Sequence, residues 1–446
     1  MPRYCQHCAR PDAPNHVPPG HYGRMFPHLP PADIDLARDL AIAAPHAPMY
    51  GDTLPENPRI PAGFAFWGQW LANDITHDHS PLGAASLSDR RPNHRAPRLN
   101  LEGLYGQGSI AQPYLYDRDD PAKLLIGTNE RGEALDVPRN VQGLALIGDP
   151  RNDSHLFISQ LQLALLRMHN AVVDILCDQR VPEVHLLASA IRTMRWHYQW
   201  ALLHEYLPLL VGDSLTAEVL ADEPLQWTRG EVFVPLEFTA GIFRVGHAQL
   251  RNDYTVNALL PNMPIFPELE GRRPVSGART VAWEYVFDVP GECPPLPSAA
   301  IAEHYAQALM ALPESITGPI EDPLHAALAY RDLRRGADLG LPSGEDVARE
   351  LGETPLAREE LGLPTGLCPD GTPLLYYLLR EAWVCNGGRQ LGPVGGRLVA
   401  EVLVTLVKLD PTSYLAVEPE WRPSLGRVAG EFGVVDMLDL AGLLGT

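Results

Sequence analysis

The residues best suited to chemistry lie in one mostly apolar stretch, Phe238-Thr-Ala-Gly-Ile-Phe-Arg-Val-Gly-His247-Ala-Gln-Leu-Arg-Asn-Asp-Tyr-Thr-Val-Asn257. Its pattern predicts a helix, and a three-residue spacing puts Arg244 and His247 on one side of it, about one turn apart. A neutral imidazole on a buried helix is a common axial ligand for haem iron, and a nearby arginine can pair with a haem propionate. The competing reading is a hydrogen-bonded core histidine, the commoner fate of a lone histidine on an apolar helix. Cys5-x-x-Cys8, with His7 between and His16 beyond, has the spacing of half a zinc site. A structural zinc usually takes four ligands from two such pairs, and no second Cys-x-x-Cys exists, so reduced thiols are the favoured expectation. Gly387-Gly-Arg-Gln-Leu-Gly-Pro-Val-Gly-Gly396 looks like a phosphate cradle but lacks the Lys-Ser/Thr ending of a P-loop.

The elements that must position these groups are predicted to be helices. Phe64–His77, His155–Asp178 and Pro182–Leu210 carry apolar residues near helical spacing, and Gly212 closes the third. Further helices are expected at Asp33–Ala44, Ala299–Leu312, Pro323–Arg335, Ser343–Leu351, Pro373–Val384 and from the Gly387–Gly396 segment through Leu409. Polar, proline-rich residues 1–60 predict an extended arm packed on the body, with residues 61–446 as one domain. Long loops separate the helices, and no sustained alternation predicts a sheet. The expected class is mainly α with little sheet.

Composition narrows the function. A formal net charge of -20 argues against nucleic acid and anionic membrane surfaces, both of which attract basic patches. No apolar run approaches the roughly 20 residues of a membrane span, and Met1–Cys8 has no signal-like apolar segment. Six cysteines in 446 residues do not make a disulfide scaffold. The expectation is a cytoplasmic protein.

Several stretches then line up, in order, with one family. Trp67-Gly-Gln-Trp-Leu-Ala-Asn-Asp-Ile-Thr76, Leu99-Asn-Leu-Glu-Gly-Leu-Tyr-Gly106, Gly148-Asp-Pro-Arg-Asn152, Arg167-Met-His-Asn170 and Phe243-Arg-Val-Gly-His247 resemble the motifs of the animal-type haem peroxidases, particularly their bacterial branch. Gly340-Leu-Pro-Ser-Gly344, Leu391-Gly-Pro-Val-Gly395 and Ser413-Tyr-Leu415 extend the resemblance over nearly the whole chain.

The resemblance implies a haem-peroxidase-like helical domain in which His247 is the proximal iron ligand, its other nitrogen turned toward Asp332, where the family usually has asparagine. It makes Arg244 and Arg335 the propionate arginines, and Gln69 and Arg151 the distal pair above the iron. The position of the distal histidine is Asn73. An asparagine amide donates and accepts hydrogen bonds but does not ionise near neutral pH, so the usual acid–base shuttle on peroxide is missing. His77, one turn further on, is the weaker candidate for a substitute. The carboxylates that esterify haem in mammalian members fall at Ala72 and Ser154, so haem b is expected to bind non-covalently. Asp332 pulls toward retained chemistry, since a carboxylate on the proximal imidazole makes it more electron-donating. Asp74 matches the family's calcium aspartate, with Asn100 and Glu102 as partners, and calcium and a plain Asp74 salt bridge stand as equal readings.

The expected activity is a haem-dependent oxidoreductase, a specialised tailoring enzyme using hydrogen peroxide or dioxygen on a specific small organic substrate. The alternatives are a conventional but slow peroxidase acting on phenolic donors, and a non-catalytic haem-binding protein.

Overall fold

The computed structural model describes residues 19–36, 38–44, 47–51, 54–80, 91–222, 226–228 and 230–445. Cys5, His7, Cys8 and His16 lie outside these residues, and with them the zinc question.

Six helices carry most of the frame: α1 (Gly63–Ile75), α2 (Leu156–Asp178), α3 (Glu183–Ala201), α4 (Leu328–Asp338), α5 (Leu374–Asn386) and α6 (Pro393–Lys408). Their apolar faces meet in one extended core that includes Trp67, Trp70, Phe157, Tyr376 and Tyr377. Local chemistry fixes their ends. The His155 ring caps α2 by accepting from Phe157 N at 3.4 Å, and Pro182 precedes α3 as its N-cap. A wide turn of π type, Leu202–Tyr206, follows α3 without a break and leads to Leu207–Val211. Gly212 (φ +87°) then stops the run, a conformation that glycine adopts without a Cβ penalty. Pro393 opens α6, and the buried Glu381 carboxylate accepts from Val394 N and Gly395 N, both at 3.1 Å. A carboxylate at a helix N-terminus satisfies donors that have no partner inside the helix.

Sheet is confined to short pieces. Gly20–Gly23 pairs antiparallel with Arg91–Asn93 and parallel with Val234–Pro235. Glu56–Pro61 pairs with Pro297–Ala299, and Asp253–Tyr254 with Met263–Pro264. The described part of the first 60 residues is tied closely to the body: Met25 N and Phe26 N donate to Glu237 at 3.0 and 3.2 Å. Arg24 donates to the carbonyls of Gly340 and Leu339 at 2.9 and 2.6 Å.

Three expected helices are corrected. The Phe238–Asn257 stretch is not a continuous α-helix. A π-type turn, Glu237–Gly241, gives way to 3₁₀ turns at Ile242–His247. Gly241 is the joint, with φ -102° and ψ -104°, outside helical geometry. At three residues per turn, Arg244 and His247 are more nearly eclipsed than on an α-helix, so the predicted shared side survives the change of helix type. Ala299–Leu312 is a strand end, bends and one 3₁₀ turn at Gln307–Leu309. Its interior donors are claimed elsewhere: Tyr305 N, which a helix would give to Ile301, goes to Met49 O at 2.9 Å, and Leu312 N goes to Ala326 O at 3.0 Å. Asp33–Ala44 shortens to a 3₁₀ segment at Asp39–Ala43, because the Asp39 and Asp35 side chains capture the N–H groups of Asp35 and Arg38. The helices Asp213–Ala221 and Val434–Leu440 were not expected from the sequence.

Candidate active site

One face of α1 forms the wall of a cleft. Ala65, Gly68, Gln69, Ala72, Asn73 and Thr76 recur at helical spacing along that face. Opposite stand Thr239, Phe243, Arg244, Gly246, His247 and Leu250, with Arg151 and Tyr206 completing the lining. The cavity volume is about 240 Å³, and it opens to solvent.

Behind the second wall lies Asp332, fully buried on α4. It accepts from His247 Nδ1 at 2.6 Å, from Arg244 Nη1 at 2.5 Å and from Tyr305 Oη at 3.1 Å. Burial alone would raise its carboxyl, but the His247 and Arg244 partners outweigh that and hold it below the ordinary aspartate range. The same burial and the Asp332 charge push the Tyr305 phenol well above its usual value, so Tyr305 stays a donor. A carboxylate can only accept, so Nδ1 of His247 carries the proton and the Nε2 lone pair is left on a ring that lines the cleft.

On the α1 side, Arg151 donates from Nε and Nη2 to Asp149, at 2.6 Å for the shortest contact, and from Nη2 to the backbone carbonyl of Asn73 at 2.9 Å. Asp149 is also held by Arg95 at 2.5 Å. Burial opposes its ionisation, yet the two guanidiniums keep its carboxyl below the usual range. The Asn73 side chain donates to Asn152 Oδ1 at 2.9 Å. Gln69 is exposed on the same face.

The structure therefore gathers Gln69, Asn73, Arg151, Arg244 and His247 around one cleft, with Asp332 supporting two of them. It does not bring Arg335 or the Asp74 group there. Arg335 donates to Ser80 O at 2.8 Å and is not part of the lining. Asp74 is buried on the far side of α1, where it accepts from Leu101 N and Gly103 N at 3.1 and 3.4 Å. Burial raises its carboxyl to about 7. Glu102 turns to Arg95 at 2.9 Å, and both polar side-chain atoms of Asn100 are buried without a partner among the described residues. Among the described residues, no group of three or more His, Cys, Asp or Glu side chains is placed to hold a metal ion. Backbone amides thus hold the Asp74 carboxylate in this structure, and Arg95 holds that of Glu102.

His77 lies past the end of α1, where the extended backbone at Thr76 turns the chain away. Its ring packs on His79 and His94, with centroids 4.2 and 6.0 Å away, rather than lining the cleft. Tyr206 and Thr239 in the lining, and Tyr305 behind it, were missed by the sequence reading. Each comes from an irregular segment whose direction no periodicity encodes.

No protein-family model and no curated protein matches the sequence. Solved structures do. Peroxidase A of Dictyostelium discoideum superposes with a TM-score of 0.66 at 14% identity, over 89% of each chain. The fatty acid alpha-dioxygenase of Arabidopsis thaliana gives 0.64 at 15% identity, over 96% of this chain and 79% of that one. The fatty acid alpha-dioxygenase of Oryza sativa gives 0.62 at 15%, over 92% and 78%.

The chain has the animal haem peroxidase fold. That fold implies a haem, and three features of the cleft fit one. His247 offers a nitrogen lone pair with its tautomer set by a carboxylate. Gly246, beside it, has nothing within 4 Å of where a Cβ would stand, so the cleft stays open next to His247. Arg244 Nε is a buried donor with no hydrogen-bond partner among the described residues. Ala72 lies in the lining and Ser154 outside it, so neither matched position offers a carboxyl to the cleft.

Proposed function

We propose that the protein is a haem-dependent oxidoreductase that uses hydrogen peroxide or dioxygen to oxidise a specific small organic molecule, as a cytoplasmic tailoring enzyme. The observation that carries this reading is the Asp332–His247 hydrogen bond of 2.6 Å on one wall of a cleft whose other wall bears Gln69, Asn73 and Arg151. A bound haem b would supply the redox chemistry by activating the oxidant. Everything else falls to the chain. His247 would hold the iron through Nε2 and Arg244 would face a propionate, while Asp332 keeps both in place. Arg335, tied to the Ser80 carbonyl, would sit at the periphery of the cofactor rather than against it.

The open face is where this chain departs from ordinary peroxidase design. Arg151 brings a positive charge that attracts a polar or anionic ligand, and Gln69 adds an amide, but no group on that wall titrates near neutral pH. Loss of a general acid–base residue typically costs about 10²- to 10⁴-fold in rate. Proton movement must then be managed by water held between Gln69 and Arg151, or by the substrate itself. A small-molecule oxidation in which the substrate brings its own exchangeable proton suits such a site better than indiscriminate turnover of phenols.

The test compares the haemin-loaded wild type with Asn73→His, using hydrogen peroxide and a generic phenolic donor. The expected result is slow wild-type turnover that rises at least 100-fold, by that same rate factor, when the imidazole is installed. Wild-type turnover already at the level of the histidine variant would overturn the reading and leave a conventional peroxidase. No haemin uptake at all would remove the enzyme altogether.

A further inference from the structure

We propose that Asn73 presents its carbonyl oxygen, not its NH₂ group, to the cleft, and that the site therefore takes a ligand bearing an O–H or N–H donor at this position. This rests on the reading of the cleft as the oxidant and substrate site, and it names the chemistry that the open face selects.

The argument starts away from the cleft, at two groups whose hydrogen-bonding roles cannot be reversed. The indole of Trp70 can only donate, and a backbone carbonyl can only accept. Both meet the amide of Gln162: Trp70 Nε1 lies 2.9 Å from Gln162 Oε1, and Gln162 Nε2 lies 3.2 Å from Gly103 O. Turning that amide over would set two donors against each other at one end and two acceptors at the other. Gln162 Oε1 is thereby fixed as oxygen. Asn152, 2.9 Å away, must then offer it an NH₂ group, which fixes Asn152 Oδ1 at its other end. Asn73 meets that oxygen at 2.9 Å and must donate to it. The remaining end of the Asn73 amide is an oxygen, and no hydrogen bond from the described residues reaches it.

Burial makes the relay binding. Gln162, Asn152 and Asn73 are 0%, 1% and 7% exposed, so a reversed amide would leave buried polar groups facing like partners, with no water to relieve them. Asn152 is held at both ends, its Nδ2 by Gln162 Oε1 and its Oδ1 by the Asn73 amide, each at 2.9 Å. Asn152 and Gln162 are thus positioning residues. They set which atom of Asn73 faces the ligand without touching it.

The consequence is a face of split polarity. Arg151 Nη1 makes no hydrogen bond to the described residues and supplies donors, while Asn73 Oδ1 supplies an acceptor beside it. A hydroperoxide, which has a bare oxygen and an O–H, complements both. So does a substrate hydroxyl, amine or un-ionised acid. An anion with only lone pairs, such as fluoride, meets Arg151 favourably and Asn73 unfavourably.

The experiment uses the haemin-loaded protein and reads ligand affinity from the Soret band, with fluoride as an acceptor-only ligand and methylamine, at alkaline pH, as an N–H-bearing one. Asn73→Ala is expected to weaken methylamine roughly five- to tenfold, the worth of one hydrogen bond, while fluoride binding holds or tightens. Asn152→Ala, which frees the Asn73 amide to turn, is expected to tighten fluoride while leaving Asn73 in place. The proposal is overturned if Asn73→Ala weakens fluoride instead, or if Asn152→Ala changes both ligands equally, as a purely structural lesion would. Haemin uptake by the wild type, lost in His247→Ala, is read separately. Failure there removes the haem site, whereas reversed ligand signs in a protein that binds haemin overturn only the orientation of the amide.

Discussion

Asp332→Asn replaces one oxygen with an NH₂ group in the most tightly bonded part of the site, and its effect follows from who can accept there. Asp332 receives three donors, from Arg244, His247 and Tyr305, at 2.5, 2.6 and 3.1 Å. Asparagine keeps one acceptor end. Arg244 cannot become an acceptor or lose its proton, so the amide oxygen goes to the guanidinium. The NH₂ end then faces His247 Nδ1, which can meet it only as an acceptor. The imidazole proton must move to Nε2, the atom that would bind iron. Haem binding has to reverse that tautomer against the amide, and outer-partner substitutions of this kind cost about 10- to 100-fold in metal affinity, or roughly 1.4–2.8 kcal/mol. The protein without haem also loses stability. Breaking a fully buried ion pair costs about 3–5 kcal/mol, and since the Arg244 and His247 side chains are 29% and 31% exposed, water recovers part of it, leaving an expected loss nearer 2–3 kcal/mol. Haemin titration followed at the Soret band measures the first quantity, and chemical denaturation of the haem-free protein measures the second. In the Arg244→Leu background the amide oxygen is free to return to Nδ1, so Asp332→Asn should cost less haemin affinity there than in wild type. Haemin uptake by Asp332→Asn within threefold of wild type, or an equal cost of the substitution in both backgrounds, would refute the tautomer reasoning.

Glu381 predicts a pH effect far from the cleft: burial raises its carboxyl to about 7 despite the N–H groups of Val394 and Gly395. The folded protein then binds a proton that the unfolded chain releases between about pH 4.5 and 7, so this residue's contribution to stability falls as pH rises through that window, by about 3 kcal/mol in all. The stability difference between Glu381→Gln and wild type, from denaturation at pH 5 and pH 8, should move toward the variant by that order; a difference that does not change with pH would count against the raised carboxyl. Gly68→Ala places a Cβ 2.2 Å from Tyr206 Oη, which demands repacking at about 1–3 kcal/mol. Adding Tyr206→Phe should recover most of that loss in a thermal or denaturant melt, and an additive double variant would show that the clash lies elsewhere.

The helices that frame the cleft were legible because they repeat. The stripe Ala65, Gly68, Gln69, Ala72, Asn73 and Thr76 is a period of 3.6 written into the sequence, and its register placed Gln69 and Asn73 on one face before any coordinates. His247 and Arg244 were found by the same device, although the segment carrying them is built from π and 3₁₀ turns. A three-residue spacing survives that change because it falls within one turn of either helix. Ala299–Leu312 shows where periodicity fails. Its composition suits a helix, yet the carbonyls of Met49 and Ala326 take the interior N–H groups of Tyr305 and Leu312, and such competition from distant segments leaves no local trace. The surroundings of Asp74 are equally unreadable from spacing: two backbone amides reach Asp74 and Arg95 reaches Glu102, all from distant segments.

What decides the chemistry of the open face is less legible still, and for a reason that separates residue identity from residue role. Asn73 is visible in the sequence, and so is the absence of a titratable ring. Its polarity is not, because an asparagine side chain is symmetrical in shape and opposite in character at its two ends. That choice is made by Trp70 and the Gly103 carbonyl and passed through Gln162 and Asn152, four residues on four different elements. Of these, only Trp70 shares a helix with Asn73, and no spacing rule connects the rest. A wall that keeps an acceptor facing the ligand while giving up basicity retains half of what an imidazole offers. It can orient a proton it cannot remove, so the proton must be one that the substrate or a bound water is already prepared to give up.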